Sequence, residues 1–241
     1  MFLLFFTLFS WDYKTHGILG EITRNLISNN SNFKEINYLF NNNFSEASIL
    51  ADKLKFTKEY AWTRKLHYID ILESKFTFIT DEIIKKYCKK NCITWGISYF
   101  YNQVNLNNQL IFKRVSKFRY HFLLHFLQDI CQPFHLFGKT GGNDLFIKYC
   151  NNQKCKTVSI HKLWDTILPE KHNFIISEKI KTSKFKLNRY VNLHFHIALK
   201  EYNYYKSVNF TLDLSQYYNF RAKFILNDLF NNYKHLVLHY F

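Results

Sequence analysis

The stretch that decides the fold is residues 121–135, which read HFLLHFLQDICQPFH. Most of its side chains are apolar, as in a buried helix, yet it also carries three histidines, an aspartate and a cysteine. His125 and Asp129 are four positions apart, so a helix directs both from one face. Pro133 then stops or bends the helix before His135. The pattern predicts a buried helix that carries a His–Asp pair, with one further histidine displaced from it.

The same His-x-x-x-Asp spacing recurs at His161 and Asp165, in SIHKLWDT. Three more candidates are Asp52 in LADKLK, His67 in WTRKLHYID and His16 in WDYKTH. Imidazole nitrogen and carboxylate oxygen are ligands that zinc accepts readily. An ionised carboxylate is costly to bury without a partner, so these apolar surroundings require either a cation or a hydrogen-bonded histidine. The residues alone leave both interpretations open.

Helical spacing dominates the chain, which has only two prolines and six glycines in 241 residues. Helices are predicted at about residues 15–28, 45–54 with Ser45 as N-cap, 81–102, 109–131, 159–168 closed by Pro169, 187–205 and 214–240. The turn GGND at 141–144 precedes two short predicted strands, LFIKYC at 145–150 and KTVSI from 156. The sequence therefore predicts an all-α fold, a single compact multi-helix domain with one small β-hairpin, over residues 11–241.

The formal net charge of +15 predicts an anionic partner. A chain this basic attracts nucleic acid, anionic membrane surfaces or acidic polysaccharide, and charge alone does not choose among them. The opening run MFLLFFTLFS is too short to span a bilayer. It is typical of the apolar part of a secretory signal peptide with Ser10 before the cleavage site, the alternative being a buried N-terminal strand. We expect a signal peptide at residues 1–10 and a secreted or lumenal protein.

Cysteine usage also fits export. Cys88 and Cys92, and likewise Cys150 and Cys155, are close enough in sequence to close small loops, which leaves Cys131 over. Glycan acceptor triplets begin at Asn29, Asn43 and Asn209, and they would be used only in a secretory lumen. We therefore expect a disulfide-bonded glycoprotein.

In their order along the chain, WDYKTH, LADKLK, WTRKLHYID, HFLQDICQPFH, GGND and IHKLWDT resemble the zinc-dependent single-strand nuclease and 3′-nucleotidase family of the S1/P1 type. That family is distantly similar to bacterial zinc phospholipases C. The resemblance implies three zinc ions (Zn²⁺) in a cleft. One ion would be held by Asp52, His67, His125 and Asp129. Another would be held by His16, Asp129 and the amino and carbonyl groups of Trp11, so that Asp129 bridges two ions. The third would be held by His135, His161 and Asp165.

The resemblance also implies the reaction and the substrate contacts. Such an enzyme hydrolyses RNA and single-stranded DNA to 5′-phosphorylated products and acts on 3′-nucleotides. Metal ions activate the water, so no side-chain nucleophile is needed, and Asp129 and Lys55 are the expected catalytic residues. Tyr68 matches a base-stacking position, with core packing as the alternative, and Asp70 matches one that hydrogen-bonds the base edge. Asn143 would face the scissile phosphate.

Two residues of the central segment depart from the implied ligand set. His121 has no counterpart among the ligands, so we assign it to packing or hydrogen bonding. Cys131 stands where the family often has histidine or threonine, and we expect no metal on it. Cys88 and Cys92 match a disulfide pair of the family.

Two other functions fit the same motifs. One is a zinc phospholipase C on this scaffold, and the other is a catalytically inactive, basic nucleic-acid-binding zinc protein. The aromatic-then-acidic pair after His67 and the aspartate at position 165, where phospholipases carry glutamate, favour the nuclease. The expected partners are single-stranded nucleic acid and 3′-nucleotides, with no stable membrane insertion and no obligate protein partner.

Overall fold

The computed structural model describes residues 11–72, 78–105, 118–152, 154–174, 187–207 and 211–241. The expected signal peptide at residues 1–10, most of the first half of the predicted helix 109–131 and the triplet at Asn209 lie outside this part of the chain. Among the described helices, none combines the length and the apolar character that crossing a bilayer requires.

Helices make up most of the described chain, which confirms the all-α class. The α-helices are α1 (Tyr13–Ile27), α2 (Phe33–Leu39), α3 (Phe44–Leu54), α4 (Asp81–Cys88), α5 (Ile93–Asn105), α6 (Arg119–Asp129), α7 (Ile160–Lys162), α8 (Leu168–Lys171), α9 (Leu187–Ser207), α10 (Leu214–Tyr217) and α11 (Lys223–Tyr240). Two 3₁₀ helices cover Ala61–His67 and Pro133–Leu136, and π-helical turns at Leu163–Ile167 and Tyr218–Ala222 join α7 to α8 and α10 to α11.

Helix α6 is the centre of the core. All eleven of its residues are buried, and it packs against α1, α3, α5 and α11. α1 and α3 approach closely at Gly20, where a Cβ atom would collide with the Phe44 carbonyl oxygen and the Ser48 hydroxyl. A helix surrounded on all sides has no solvent face on which to place its polar residues, so they must find partners inside the protein.

The predicted hairpin is present, with one strand more than expected. β1 (Phe146–Asn151) pairs antiparallel with β2 (Lys154–Ser159), and Cys150 stands opposite Cys155. β3 (Leu212–Asp213) adds to β1 in parallel. A two-residue strand is too short to show alternation, so no pattern in the sequence predicts it. Disulfides join Cys150 to Cys155 and Cys88 to Cys92, and Cys131 is a buried free thiol.

The single helix predicted at 81–102 is wrong. It is two helices, because Lys89 and Lys90 adopt positive φ angles of 44° and 60° and the Cys88–Cys92 disulfide closes the loop between α4 and α5. Neither residue is the glycine that usually marks such a helix end.

Two further boundaries differ from the prediction. Asn43, not Ser45, caps α3, since its side chain accepts a hydrogen bond from the Glu46 amide. Pro169 does not close the helix that follows Ser159. It lies in the first turn of α8, directly after the π-helical turn Leu163–Ile167, and the helix runs on to Lys171.

Candidate metal centre

Three elements bring the first group of candidate ligands together. Asp52 lies near the end of α3, His67 ends the 3₁₀ helix Ala61–His67, and His125 and Asp129 lie on α6. His125 Nε2 is 3.1 Å from Asp129 Oδ2 and 3.4 Å from Asp52 Oδ1, and His67 Nδ1 is 2.9 Å from Asp129 Oδ2. All four side chains are buried.

The second group uses the other oxygen of Asp129. His16, on α1, places Nε2 3.4 Å from Asp129 Oδ1, and its ring stacks on that of His125 at 4.1 Å between centroids. Trp11 is buried beside this group, where its indole Nε1 donates to the Gln128 carbonyl oxygen at 2.8 Å. The two oxygens of Asp129 therefore face different histidine sets.

The third group combines His135, from the 3₁₀ helix before the hairpin, with His161 and Asp165, which follow the hairpin. His161 Nε2 is 3.1 Å from Asp165 Oδ2, and His135 Nε2 is 3.9 Å from Asp165 Oδ1. Asp165 lies in the π-helical turn, and the Gln132 side-chain amide donates to its Oδ1 at 2.6 Å. His135 Nδ1 is 3.7 Å from Asp129 Oδ1, which links this group to the other two.

Hydrogen bonds at Nδ1 fix the orientation of four of the five histidine rings. The acceptors are carbonyl oxygens in every case: His125 donates to Ser48 at 2.6 Å, His161 to Gly141 at 2.7 Å, His135 to His67 at 3.0 Å and His16 to the Gln128 side chain at 2.5 Å. Gln128 is itself oriented, because its amide nitrogen donates to Ser48 Oγ and to the Tyr233 hydroxyl. Since a carbonyl oxygen only accepts, each neutral ring carries its proton on Nδ1 and keeps a lone pair on Nε2.

These lone pairs converge on negative charge. His125 Nε2 faces the carboxylates of Asp52 and Asp129, so acceptor faces acceptor unless a positive charge lies between them. The same atom lies 3.0 Å from His67 Nδ1. Burial by itself lowers the pKa of His125, but the negative charges of Asp129 and Asp52 raise it to about 10. Within the described residues, Asp129 Oδ1 and His67 Nε2 have no hydrogen-bond partner.

The donor set therefore fits divalent cations. Three sets of residues each bring their ligand atoms within 4.8 Å of one another. The sets are His16, His125 and Asp129; Asp52, His67 and His125; and His135, His161 and Asp165. Nitrogen and carboxylate oxygen are the donors that zinc takes in catalytic sites. His121 and Cys131 belong to none of these sets. The ring of His121 packs edge-on against Phe40 and Phe118.

Lys55 is buried beside the first group, with its Nζ 2.6 Å from Asp52 Oδ1. Tyr68 and Asp70 follow His67 and are half-buried. Burial raises the pKa of Asp70 to about 6, although Lys65 and Lys139 oppose the shift. Burial, followed by the charge of Asp70, raises the pKa of Tyr68. These two side chains thus share one partly exposed environment next to the candidate ligands.

Asn143 is held by its own turn. Its amide nitrogen donates to the Thr140 carbonyl oxygen at 2.8 Å, and its Oδ1 accepts from the Ser159 hydroxyl. The same turn supplies the Gly141 carbonyl oxygen that orients His161. Gly141 has a φ of +56°, and a Cβ atom there would lie 2.9 Å from the Phe134 carbonyl oxygen. The GGND turn therefore supports the third group through its backbone.

The sequence did not single out several residues that surround the groups. Ser48, Gln128 and Gln132 orient ligands, but an isolated serine or glutamine carries no sequence signal for that role. Phe56 is 57% exposed next to Lys55, and the Arg64 guanidinium lies 5.9 Å from its ring centre. In the sequence, only the position directly after Lys55 draws attention to Phe56.

Comparison with known proteins identifies the family. A family model described as S1/P1 Nuclease matches residues 11–239. Endonuclease 3 of Arabidopsis thaliana is 28% identical over 124 residues, which are 49% of this chain and 40% of that protein. Endonuclease 1 of the same plant is 26% identical over 170 residues, 65% of this chain and 53% of that protein. The chain thus spans about half the length of the curated relatives it matches. Because the family model covers nearly the whole chain, including every residue of the three groups, the chain belongs to the S1/P1 nuclease family.

Proposed function

We propose that this chain is an exported phosphodiesterase with three zinc ions that hydrolyses RNA and single-stranded DNA to 5′-phosphorylated products and also acts on 3′-nucleotides. The observation that supports it most is the division of Asp129, whose Oδ2 faces His67 and His125 while its Oδ1 faces His16. A carboxylate shared between two sets of histidines suits a pair of neighbouring cations better than a single one.

Each ion has a proposed set of ligands. One takes Asp52, His67, His125 and Asp129, another takes Trp11, His16 and Asp129, and the third takes His135, His161 and Asp165. Zinc, when bound, supplies Lewis acidity and lowers the pKa of water to about 7. The protein's part is to present lone pairs without reorganisation, which the four hydrogen bonds at Nδ1 achieve in advance.

The proposal gives the remaining residues separate tasks. Lys55, held at Asp52, would place a positive charge beside the phosphate. Tyr68 would stack on a nucleobase, and such stacking tolerates any base. Asp70 is ionised above about pH 6, so it would accept hydrogen bonds from base amino or imino groups. Asn143 would approach the scissile phosphate. A site that grips the face and edge of a base requires an unpaired strand.

Export is part of the same proposal, because the amine of Trp11 becomes a ligand only after cleavage between Ser10 and Trp11. Trp11 is already held against α6 by its indole hydrogen bond to Gln128. The two disulfides support an oxidising compartment. Glycosylation at the exposed Asn29 and Asn43 would follow from the same route.

The decisive experiment is metal analysis and N-terminal sequencing of protein secreted from a eukaryotic host, combined with cleavage assays. We expect three zinc ions per chain, Trp11 as the first residue, and hydrolysis of single-stranded polynucleotides that a chelator abolishes and zinc restores. Activity that survives removal of all metal would contradict the proposal. Hydrolysis of phosphatidylcholine vesicles without nucleic-acid cleavage would assign the scaffold to a phospholipase C, and zinc-replete protein without activity would indicate an inactive binding protein.

A further inference from the structure

A second, separate feature of the surface is a groove of about 1240 Å³ between α4, α5 and the beginning of α9. Among the residues that the structure describes, four cationic side chains line it: Lys85, Lys89, Lys90 and Arg189. All four are exposed. Two acidic residues, Asp81 and Glu82, lie in the first turn of α4 on the same wall, and Asp81 accepts a hydrogen bond from the Asn188 side chain. The described part of the lining therefore has an excess of positive charge.

Aromatic rings line the same groove. Phe78 lines the groove with 61% of its surface exposed. Trp95, also in the lining, is half-buried and stacks on Tyr99 with ring centres 4.9 Å apart. Cations next to exposed aromatic faces are the combination that binds single-stranded nucleic acid without sequence preference.

The lysine pair occupies a backbone that disfavours it. Lys89 and Lys90 have φ angles of 44° and 60°, in the left-handed region where glycine would be free of steric cost. The Cys88–Cys92 disulfide holds the loop in this form. The chain therefore presents two adjacent cations at the edge of the groove on a covalently closed loop. A rigid loop loses little conformational freedom when its side chains bind a ligand.

The groove is connected to the candidate active site through the backbone. The Ile93 amide, at the first residue of α5, donates to the Tyr68 carbonyl oxygen at 3.0 Å. Lys90 lies three residues before this contact, and Tyr68 is the proposed base-stacking residue. A strand whose base rests on Tyr68 would thus find the cationic loop at the neighbouring end of α5.

We propose that this groove binds a segment of the single-stranded substrate that lies outside the cleft, so that the protein favours long polynucleotides over 3′-nucleotides. This inference rests on the proposed function. The charge excess and the aromatic rings select a polyanion with bases, which distinguishes nucleic acid from acidic polysaccharide or an anionic membrane.

The test compares two groove variants, Phe78→Ala and the double variant Lys89→Gln with Lys90→Gln, with the unmodified protein. Binding is measured by fluorescence anisotropy with a labelled oligothymidylate whose phosphorothioate linkages resist cleavage. We expect the dissociation constant to rise about tenfold for each variant. In the lysine variant the salt dependence should also weaken, by about 0.7 in logarithmic slope for each lost phosphate contact. Phe78→Trp should restore binding.

Matched controls are the double variant Lys200→Gln with Lys206→Gln, which removes two exposed lysines from α9, and Phe220→Ala, which removes an exposed ring elsewhere. Both should bind the oligonucleotide like the unmodified protein. Turnover of a 3′-nucleotide, which is too short to reach the groove, should be equal in all variants. The inference would be overturned if groove and control variants bound the oligonucleotide with equal affinity. It would also be overturned if the unmodified protein bound heparin but not the oligonucleotide, and Phe78→Ala left heparin binding unchanged. Because the binding probe is not cleaved, a chain that binds it but hydrolyses nothing would contradict only the proposed function.

Discussion

Two buried histidines, His125 on α6 and His194 on α9, have the same kind of partner at Nδ1 and opposite kinds of partner at Nε2. His125 donates through Nδ1 to the Ser48 carbonyl oxygen at 2.6 Å, and His194 donates through Nδ1 to the Ile130 carbonyl oxygen at 2.8 Å. At Nε2, His125 faces two carboxylates, whereas His194 faces the side-chain amide of Asn232 at 3.1 Å. The pKa of His125 rises to about 10, and burial lowers that of His194 to about 4.

The difference shows which contact makes a cation site. A carbonyl oxygen at Nδ1 only chooses the tautomer, and both rings have one. The carboxylates opposite Nε2 create a demand for positive charge that a proton or a metal ion can meet, because burial makes an unneutralised carboxylate costly. His194, which meets an N–H donor instead, is satisfied as a neutral ring and has a structural role. The following predictions test this contrast, beginning with the largest expected effect.

Asp129→Asn should abolish nuclease activity and release more than one zinc ion. The substitution keeps the shape of the side chain but removes the charge that two histidine groups share. We expect turnover to fall by about a thousandfold or more, beyond the 10- to 100-fold typical of residues that only orient a ligand. Zinc content measured by mass spectrometry beside activity on single-stranded DNA checks this result.

The control for this variant is His194→Asn, whose amide nitrogen keeps a donor for the Ile130 carbonyl oxygen while the outer part of the ring, including Nε2, is removed. It should retain all zinc and nearly full activity. A folded Asp129→Asn protein, judged by circular dichroism, that keeps three zinc ions would disprove the bridging role. Loss of zinc from the control would show that the contrast between the two histidines is wrong.

Asn232→Asp should convert the environment of His194 into that of His125. A carboxylate would replace the amide at Nε2, and we expect the pKa of His194 to rise by at least two units, measured from its imidazole signals in an NMR titration. No change in that pKa would mean that burial, rather than the partner at Nε2, decides the charge of buried histidines in this protein.

The same substitution changes the dependence of stability on pH. In the unmodified protein the folded pKa of His194, about 4, lies below the unfolded value of about 6.5. The unfolded chain therefore binds the proton first, and stability that is present above pH 6.5 is lost as the pH falls toward 4, by roughly 3 kcal/mol at most. Asn232→Asp should flatten this decline relative to the unmodified protein at equal zinc content, as measured by urea unfolding.

How far the sequence predicts this contrast can be judged from particular residues. Four-residue spacing placed His125 with Asp129 and His161 with Asp165 on common helical faces, and the structure brings each pair within 3.1 Å. Periodicity could not show that His16, Asp52 and His67 converge on the same centre, because that depends on how separate helices pack. Only the order of the motifs, which resembles that of a known family, predicted this convergence.

The remaining differences have local causes. The break between α4 and α5 falls at two lysines with positive φ, and no glycine or proline marks it. The 3₁₀ helix Ala61–His67 and the strand Leu212–Asp213 are too short for a periodic pattern. Ser48 and Gln128 orient histidines from 77 and 112 positions away in sequence, so their roles exist only in the folded chain.

Gly141→Ala should weaken the third group without disturbing the other two. Alanine disfavours the φ of +56°, and its Cβ atom would press on the Phe134 carbonyl oxygen and the ring of His161. The carbonyl oxygen that selects the tautomer of His161 would shift, so we expect activity about 10- to 100-fold lower and the loss of one zinc ion. Zinc content near two per chain with an intact fold supports this; a variant that loses all three would show that the groups are not separable.

Asp70→Asn gives the smallest effect and extends the contrast to carboxylates. Burial by itself raises the pKa of Asp129, but the positive charge of His125 and hydrogen bonds from His125, His16 and His67 hold it well below the ordinary value. Burial instead raises the pKa of Asp70 to about 6. Asp70 is therefore a charged acceptor above pH 6 and loses that charge as the pH falls through 6.

At pH 7.5, the KM of Asp70→Asn for a guanine 3′-nucleotide should be about five times that of the unmodified protein. This ratio of KM values should approach one near pH 5. Taking the ratio cancels the effect of pH on the metal ligands, which both proteins share. An adenine 3′-nucleotide, which offers a single amino group, should show a smaller ratio. A ratio independent of both pH and base would mean that Asp70 does not touch the base and that its raised pKa reflects burial alone.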